Sequence, residues 1–264
     1  MDWLNIKDKV VIVTGASSGI GAAVAEELCQ LGVFVVNGDI NEGKLKHPNL
    51  DFVQTDVTSR ESVEGLVNFA MNKYGKIDAL VNNAGVNAPA LLADKEIESE
   101  YELTDALFER MTNINQKGVY LASQLVGKIM LKQKSGVIIN MSSEAGLEGS
   151  EGQSCYAATK AAVNSFTRSW AKELGKEGIR VVGIAPGIME ETGLRTLNYE
   201  TALAYTRGKT VEDIRKGYSQ TSTIPLGRSG RLTEIADAVA YLISDKASYI
   251  SGVTINVAGG KTRG

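Results

Sequence analysis

Apolar residues gather in seven short runs, at 10–13, 33–36, 52–54, 77–81, 137–141, 181–184 and 253–257, separated by longer stretches in which apolar positions recur every three or four residues. Unbroken runs rich in Val and Ile suit strands covered on both faces, and the three-and-four spacing suits helices with one apolar stripe. Alternation of the two predicts an α/β fold: one doubly wound parallel sheet of about seven strands with helices on both faces. The segment between Asp39 and Phe52 is short for a crossover, so its helix should shrink to a turn or two. After Gly187 the pattern breaks down. Residues 188–228 are irregular and rich in Arg, Lys, Thr and Tyr, which predicts short helices forming a lid. With 264 residues, 43% of them apolar, and no Pro- or Ser-rich linker or internal repeat, the chain is expected to form one domain, 1–264.

The first strand runs straight into Thr14, Gly15, Ala16, Ser17, Ser18, Gly19, Ile20 and Gly21. A strand, a glycine turn and then a helix is the arrangement that sets a dinucleotide pyrophosphate on a helix N-terminus. Gly15 allows the sharp turn, Gly19 lets backbone N–H groups approach phosphates, and Gly21 lets the helix pack close on the strand. Ser17, Ser18 and Ile20 are further candidate cofactor contacts. The spacing Gly-x3-Gly-x-Gly is not the commoner Gly-x-Gly-x-x-Gly, and a plain strand-to-helix turn stays open on this motif alone. Asp39 follows the second strand at about the distance of a ribose-binding acid. A carboxylate there accepts from both ribose hydroxyls and repels a 2′-phosphate, and Ala16, Ser17 and Ser18 supply no cation to offset that repulsion. The expected cofactor is therefore NAD(H), with a simple turn Asp as the alternative.

Tyr156 and Lys160 lie four apart in an apolar helical stretch, so phenol and ammonium share a face. A free phenol, with a pKa of about 10, is a poor base at neutral pH; a nearby ammonium and an oxidised nicotinamide favour the phenolate. Tyr156 then becomes a candidate acid/base for oxidising an alcohol or reducing a carbonyl. Alone, Tyr-x3-Lys is a common pair on ordinary helices.

Together, the 14–21 turn, Asp56 with Val57, Asn82 to Gly85, Asn115, Met141 to Ser143, Tyr156 with Lys160, and Pro186 with Gly187 stand in one order along the chain. On those residues the chain resembles the short-chain dehydrogenase/reductases over nearly its whole length. The resemblance implies a Rossmann-type fold and a set of roles. Asp56 and Val57 contact adenine, and Asn83, Ala84 and Gly85 line the cofactor floor. Ser143 hydrogen-bonds the substrate oxygen, Lys160 holds the nicotinamide ribose and tunes Tyr156, and Asn115 anchors a relay water. Beyond Pro186 and Gly187, Ile188 meets the nicotinamide amide through its backbone. The family often has Thr three residues after this Gly; here that place is Glu190, and Thr192 is the nearest candidate for a pyrophosphate contact. Ser142 is the alternative to Ser143 as the residue pointing into the site.

Composition narrows the remaining classes. A net charge of -3 and a pI near 5.4 give no basic footprint for nucleic acid. No stretch approaches a membrane span and the N-terminus lacks a signal peptide's pattern, so a cytoplasmic protein is expected. Cys29 and Cys155 cannot build a disulfide framework, and the single histidine, His47 before Pro48, is a loop residue that argues against His-based catalysis or a metal site.

In the lid, Arg195, Arg207, Lys209, Arg215, Lys216 and Arg228 suggest an anionic substrate such as a phosphate, set against the reading of a solvated helical face. Residues 144–153, 185–190, 205–210 and 259–264 resemble bacterial members of the family that interconvert sorbitol 6-phosphate and fructose 6-phosphate with NAD. By that resemblance Glu144, Glu148 and Glu151 are candidates for polyol hydroxyls, with Arg195, Arg207 and Lys209 as candidates for the substrate, their alternative being solvated charge. The long connection from Gly85 to Asn115, with its acidic stretch 94–102, is expected to border the cleft or a subunit contact. The helix through Ala161, Ala162, Val163, Phe166 and Trp170 is apolar around much of its girth. In the family this helix builds a dimer face within tetramers, so a homotetramer is implied, with Lys261 and Arg263 placed to reach a neighbouring active site. Reduction of another carbonyl (sorbose 1-phosphate, a neutral ketose, a 3-oxoacyl thioester) and a non-catalytic NAD-binding sensor are the other functions compatible with the sequence.

Overall fold

The computed structural model describes residues 3–96, 99–193, 195–219 and 223–261. Seven strands, β1 (Val10–Thr14), β2 (Phe34–Asp39), β3 (Leu50–Gln54), β4 (Ala79–Asn82), β5 (Gly136–Met141), β6 (Ile179–Pro186) and β7 (Thr254–Val257), form one sheet in the order β3-β2-β1-β4-β5-β6-β7. Every pairing is parallel. The predicted runs fall on these strands, which extend past several of them because backbone pairing continues where the side chains turn polar, as at Asn37 to Asp39.

Strand periodicity divides the core in two. Val11 and Val13 face α1 (Gly19–Gln30) and α9 (Leu232–Ile243), while Ile12 between them faces α2 (Arg60–Tyr74) and α4 (Gly118–Gln133). The two faces bury separate apolar clusters, which is why the central strands carry no polar alternation. α6 (Ser154–Leu174) brings Trp170 and Leu174 to the second cluster and presents its N-terminal half to the C-terminal edge of the sheet.

Residues 40–49 contain no helix, against the expected turn or two. The register pairs Val35 with Leu50, so this segment must retrace about four strand residues, roughly 13 Å, while crossing to the next strand. A helix rising 1.5 Å per residue leaves no residues for the turns. Gly43 also lies against Ser17, where an added Cβ would sit 2.8 Å from the Ser17 backbone.

Two departures from plain helix matter for the site. Between α3 (Asp105–Thr112) and α4, residues Asn113–Lys117 form a π-helical turn that carries the fully buried Asn115. Among its described residues the lid holds two helices, α7 (Leu197–Thr206) and α8 (Val211–Ser219), with an apolar cluster of their own around Leu203, Ala204 and Ile214. The long connection after Gly85 borders this lid: Tyr101 stacks on Tyr205 with ring centroids 4.2 Å apart, and Ser99 donates to Asp94 at 2.5 Å.

Candidate active site

The order of the strands reverses between β1 and β4, where a crevice opens at the carboxyl ends of the strands. A cleft of about 750 Å³ lies there. Its wall at β1 is built by sterics. Gly15 and Gly19 have positive φ (67° and 54°), and a Cβ on Gly21 would lie 2.2 Å from the Gly15 carbonyl oxygen and 2.4 Å from Asn83 Nδ2. Only glycine permits that approach of helix to turn. Asn83 braces the turn from β4, donating through Nδ2 to the carbonyls of Thr14 (3.0 Å) and Gly15 (2.9 Å). Thr14 Oγ1 returns the contact by accepting from Asn83 N and Ala84 N.

The start of α1 has neither a side-chain cap nor an acidic residue in its first turn, so its N–H groups face the cleft beside Ser18, Gly19 and Ile20. An anion fits that cradle. Thr192 faces it: a Cβ on Gly19 would stand 3.5 Å from the Thr192 Cβ. Asp39, Asp56 and Val57 line one end of the cleft, and Ala84, Gly85, Pro186, Gly187 and Ile188 line the rest. Asp39 accepts from the backbone N–H groups of Ser17 (3.0 Å) and Ile40 (2.7 Å), which fixes its carboxylate. Ser17 itself turns away from the cleft, its hydroxyl donating to the Asn41 carbonyl and accepting from Asn37.

At the other end Tyr156, Lys160 and Ser143 meet. The Ser143 hydroxyl is hydrogen-bonded to the Tyr156 phenol, whereas Ser142 Oγ bonds the Lys160 carbonyl at 3.3 Å. Lys160 Nζ lies 5.7 Å from the Tyr156 ring centroid and donates to the Met141 carbonyl at 2.8 Å. Burial pushes the Tyr156 phenol up, with the Glu144 carboxylate adding to the rise and the Ser143 hydrogen bond opposing it. The same burial lowers Lys160 to about 8. Both groups are thus biased toward their neutral forms, and the phenolate expected from the sequence is not favoured by the protein alone.

The π-turn carries Asn115 into this corner. Its Oδ1 accepts from Val86 N and its Nδ2 donates to the Val86 carbonyl, both at 2.9 Å, and Nδ2 also donates to Thr159 Oγ1. A Cβ on Gly85 would sit 3.3 Å from Asn115 Oδ1 and 3.5 Å from Lys160 Nζ, so Gly85 keeps open the space between them.

Substrate candidates separate. Glu144 and Arg195 line the cleft. Glu148 does not: it is exposed on α5 (Ala145–Glu148). Arg207 is drawn away to Ser150 Oγ (3.0 Å) and the Glu151 carbonyl, and Lys209 is exposed beyond the end of α7. Long side chains at a helix end reach whichever acceptor is nearest, and for Arg207 that acceptor is the 150–153 loop. Lys261 forms an ion pair with Glu144 of its own chain, which uses it within its own cleft; Arg263 falls outside the described residues. The sequence reading missed Arg110 and Tyr218, which also line the cleft, and it passed over Glu190, which lines it too. Arg110 lies on α3 outside every motif, so no sequence signal marks it.

A strand-turn-helix nucleotide cradle beside a half-buried Ser and Tyr and a buried Lys defines a dehydrogenase or reductase of the short-chain type. The short chain dehydrogenase family model matches residues 9–202, and the chain belongs to that family. It is 59% identical over 265 aligned residues to sorbitol-6-phosphate 2-dehydrogenase of Klebsiella pneumoniae, covering 99% of both chains. Among solved structures, aldohexose dehydrogenase of Thermoplasma acidophilum superposes with a TM-score of 0.83 at 32% identity, covering 98% of this chain and 95% of that one. The 3-ketoacyl-(acyl-carrier-protein) reductase of Brucella melitensis, complexed with NADH, gives 0.82 at 29% identity, covering 98% and 100%. The protein is an oxidoreductase of this family that acts on a CH–OH group.

Proposed function

We propose that this enzyme interconverts sorbitol 6-phosphate and fructose 6-phosphate using NAD(H). The observation that carries the reading is 59% identity, along nearly the full length, to an enzyme named for that reaction, in a chain whose cleft presents Ser143, Tyr156 and Lys160 side by side. The glycine turn and the uncapped start of α1 suit a pyrophosphate, and the residues that would hold the dinucleotide are Gly15, Ser18, Gly19, Ile20, Asp39, Asp56, Val57, 83–85, 186–188 and Thr192. When bound, the nicotinamide supplies the hydride acceptor or donor. Asp39 has no cation beside it among residues 16–18, which supports NAD over NADP.

The chain's own residues handle the proton. Ser143 holds the substrate oxygen by hydrogen bonding, and Tyr156 takes the hydroxyl proton in oxidation and returns it in reduction. Lys160, buried and lowered to about 8, recovers its charge most readily beside an acceptor that replaces water, a role that suits ribose hydroxyls. Asn115, fixed by both polar groups of Val86, leaves the space beside Gly85 for a water that continues the relay. Both cysteines are free and buried, which supports a reducing, cytoplasmic setting. The stacked Phe166 and Trp170 on α6, half-buried in one chain, support pairing with a second copy and a homotetramer.

NADH formation at 340 nm with sorbitol 6-phosphate tests the reading, run beside sorbitol and mannitol 1-phosphate, and with NADP in place of NAD. Fast turnover of the first substrate with NAD is expected; turnover of neutral polyols alone would discard the phosphate. Likeness to the 3-ketoacyl reductase favours one rival, a 3-oxoacyl thioester, and oxidation of NADH by an acetoacetyl thioester at a higher kcat/KM would install it.

A further inference from the structure

The cations of the lid differ once their partners are compared. Arg207 is bound into the 150–153 loop, Lys216 pairs with Glu212, and Arg228 pairs with Glu234. Arg195 alone among these lid cations lines the cleft that holds Ser143 and Tyr156. Its side chain is 18% exposed. Nε donates to Glu200 Oε1 at 2.8 Å, and the guanidinium carbon lies 4.0 Å from the centroid of the Tyr218 ring, which lines the same cleft.

That fixation has a chemical consequence. A guanidinium tied along its Nε edge and laid on an aromatic face keeps its Nη donors in one plane, the geometry that grips two oxygens of a phosphate. Glu200 does not neutralise Arg195 by itself, because its other oxygen accepts from Arg215 at 2.7 Å. The acidic groups nearest the substrate end are also engaged: Glu144 pairs with Lys261, and Glu190 accepts from Leu232 N at 2.7 Å. Tyr218 is hydrogen-bonded to Tyr199, whose hydroxyl accepts from Gln153 Nε2 at 3.0 Å. Gln153 directly precedes the helix that carries Tyr156. A series of contacts therefore runs from Arg195 to the start of the helix that carries Tyr156.

We propose that Arg195, oriented by Glu200 and Tyr218, binds the phosphate of the sugar substrate and sets the preference for phosphorylated over neutral polyol. The proposal rests on the phosphorylated-substrate reading given above.

The test is the ratio of kcat/KM for sorbitol 6-phosphate to that for sorbitol, measured in the wild type, Arg195→Gln, Arg195→Lys and Arg110→Gln, with NADH affinity followed by fluorescence. Arg195→Gln should lower the ratio roughly 100-fold with NADH affinity held, as expected when one partner of a partly buried charge pair is removed. Arg195→Lys, which keeps charge but loses the fork, should fall between. Inorganic phosphate should inhibit the wild type competitively against sorbitol and inhibit Arg195→Gln less. An unchanged ratio in Arg195→Gln, or a fall seen only in Arg110→Gln, overturns the proposal. Loss of NADH affinity with the ratio intact also overturns it, placing Arg195 on the cofactor instead. A wild type that shows no preference for the phosphorylated polyol removes the substrate reading itself, a failure distinct from the others.

Discussion

The β1–α1 turn and the lid face each other across one cleft, yet they are held together by different means. In the turn, backbone meets backbone at distances that admit no side chain, as at Gly21 against Gly15. In the lid, long charged side chains select partners: Arg195 and Arg215 share Glu200, and Arg207 reaches Ser150. Steric fixation leaves little choice of residue, and ion pairing leaves a good deal. The cofactor side is therefore fixed by shape, while the lid is fixed by its choice of ion-pair partners.

The largest effect that sharpens this comparison belongs to the proton-handling pair. Tyr156→Phe removes the proposed acid/base and keeps the ring, so kcat should fall by about 10²–10⁴ while NADH affinity and melting temperature hold. Full turnover in that variant, read at 340 nm, would sink the mechanism.

The next effect is a cost in stability carried by the cofactor side. Lys160 lies at about 8 in the folded chain against an ordinary 10.5, so between those values the unfolded chain binds more protons, and stability rises with pH. Below pH 8 both states are charged and the full penalty applies. At about 1.4 kcal/mol per unit, the upper bound is about 3–4 kcal/mol. Denaturant unfolding of the cofactor-free protein from pH 7 to 10 should show that rise in the wild type relative to Lys160→Met. Parallel curves for the two proteins would mean that the ammonium is solvated.

What the sequence made legible follows the same division. Gly15, Gly19 and Gly21 were readable because a steric requirement leaves a fixed residue type at a fixed spacing, and Tyr156, Lys160 and Ser143 were readable through the ordered set of motifs around them. The π-turn at Asn113–Lys117 has no such mark, since one extra residue in a helical turn changes geometry without demanding a particular side chain. Arg207 and Glu148 lie off the cleft, which the sequence does not show because charge at a helix end does not state which acceptor lies within reach. The pairing of Lys261 with Glu144 joins residues 117 apart, a separation over which local pattern carries no information.

A smaller effect tests the steric half directly. Gly21→Ala forces a Cβ against the Gly15 carbonyl and should destabilise by about 1–3 kcal/mol, as overpacking does. Gly65→Ala, on the exposed face of α2 with nothing within 4 Å of an added Cβ, should stabilise by about 0.5–1 kcal/mol. Thermal unfolding of the pair would break the comparison if both shifted the same way.

The smallest effect probes the lid from outside the cleft. Tyr101 stacks on Tyr205 and joins the long 86–104 connection to α7, and it touches neither the cofactor cradle nor Tyr156. Such a ring pair contributes about 0.5–1.5 kcal/mol beyond its buried area. Tyr101→Ala should loosen α7, which carries Glu200, and so relax the orientation of Arg195. The expected result is a rise in KM for the phosphorylated polyol of less than about tenfold, with NADH affinity unchanged. An equal loss on NADH would show that the lid and the nucleotide cradle move as one body, and the contrast between a fixed half and an adjustable half would fail.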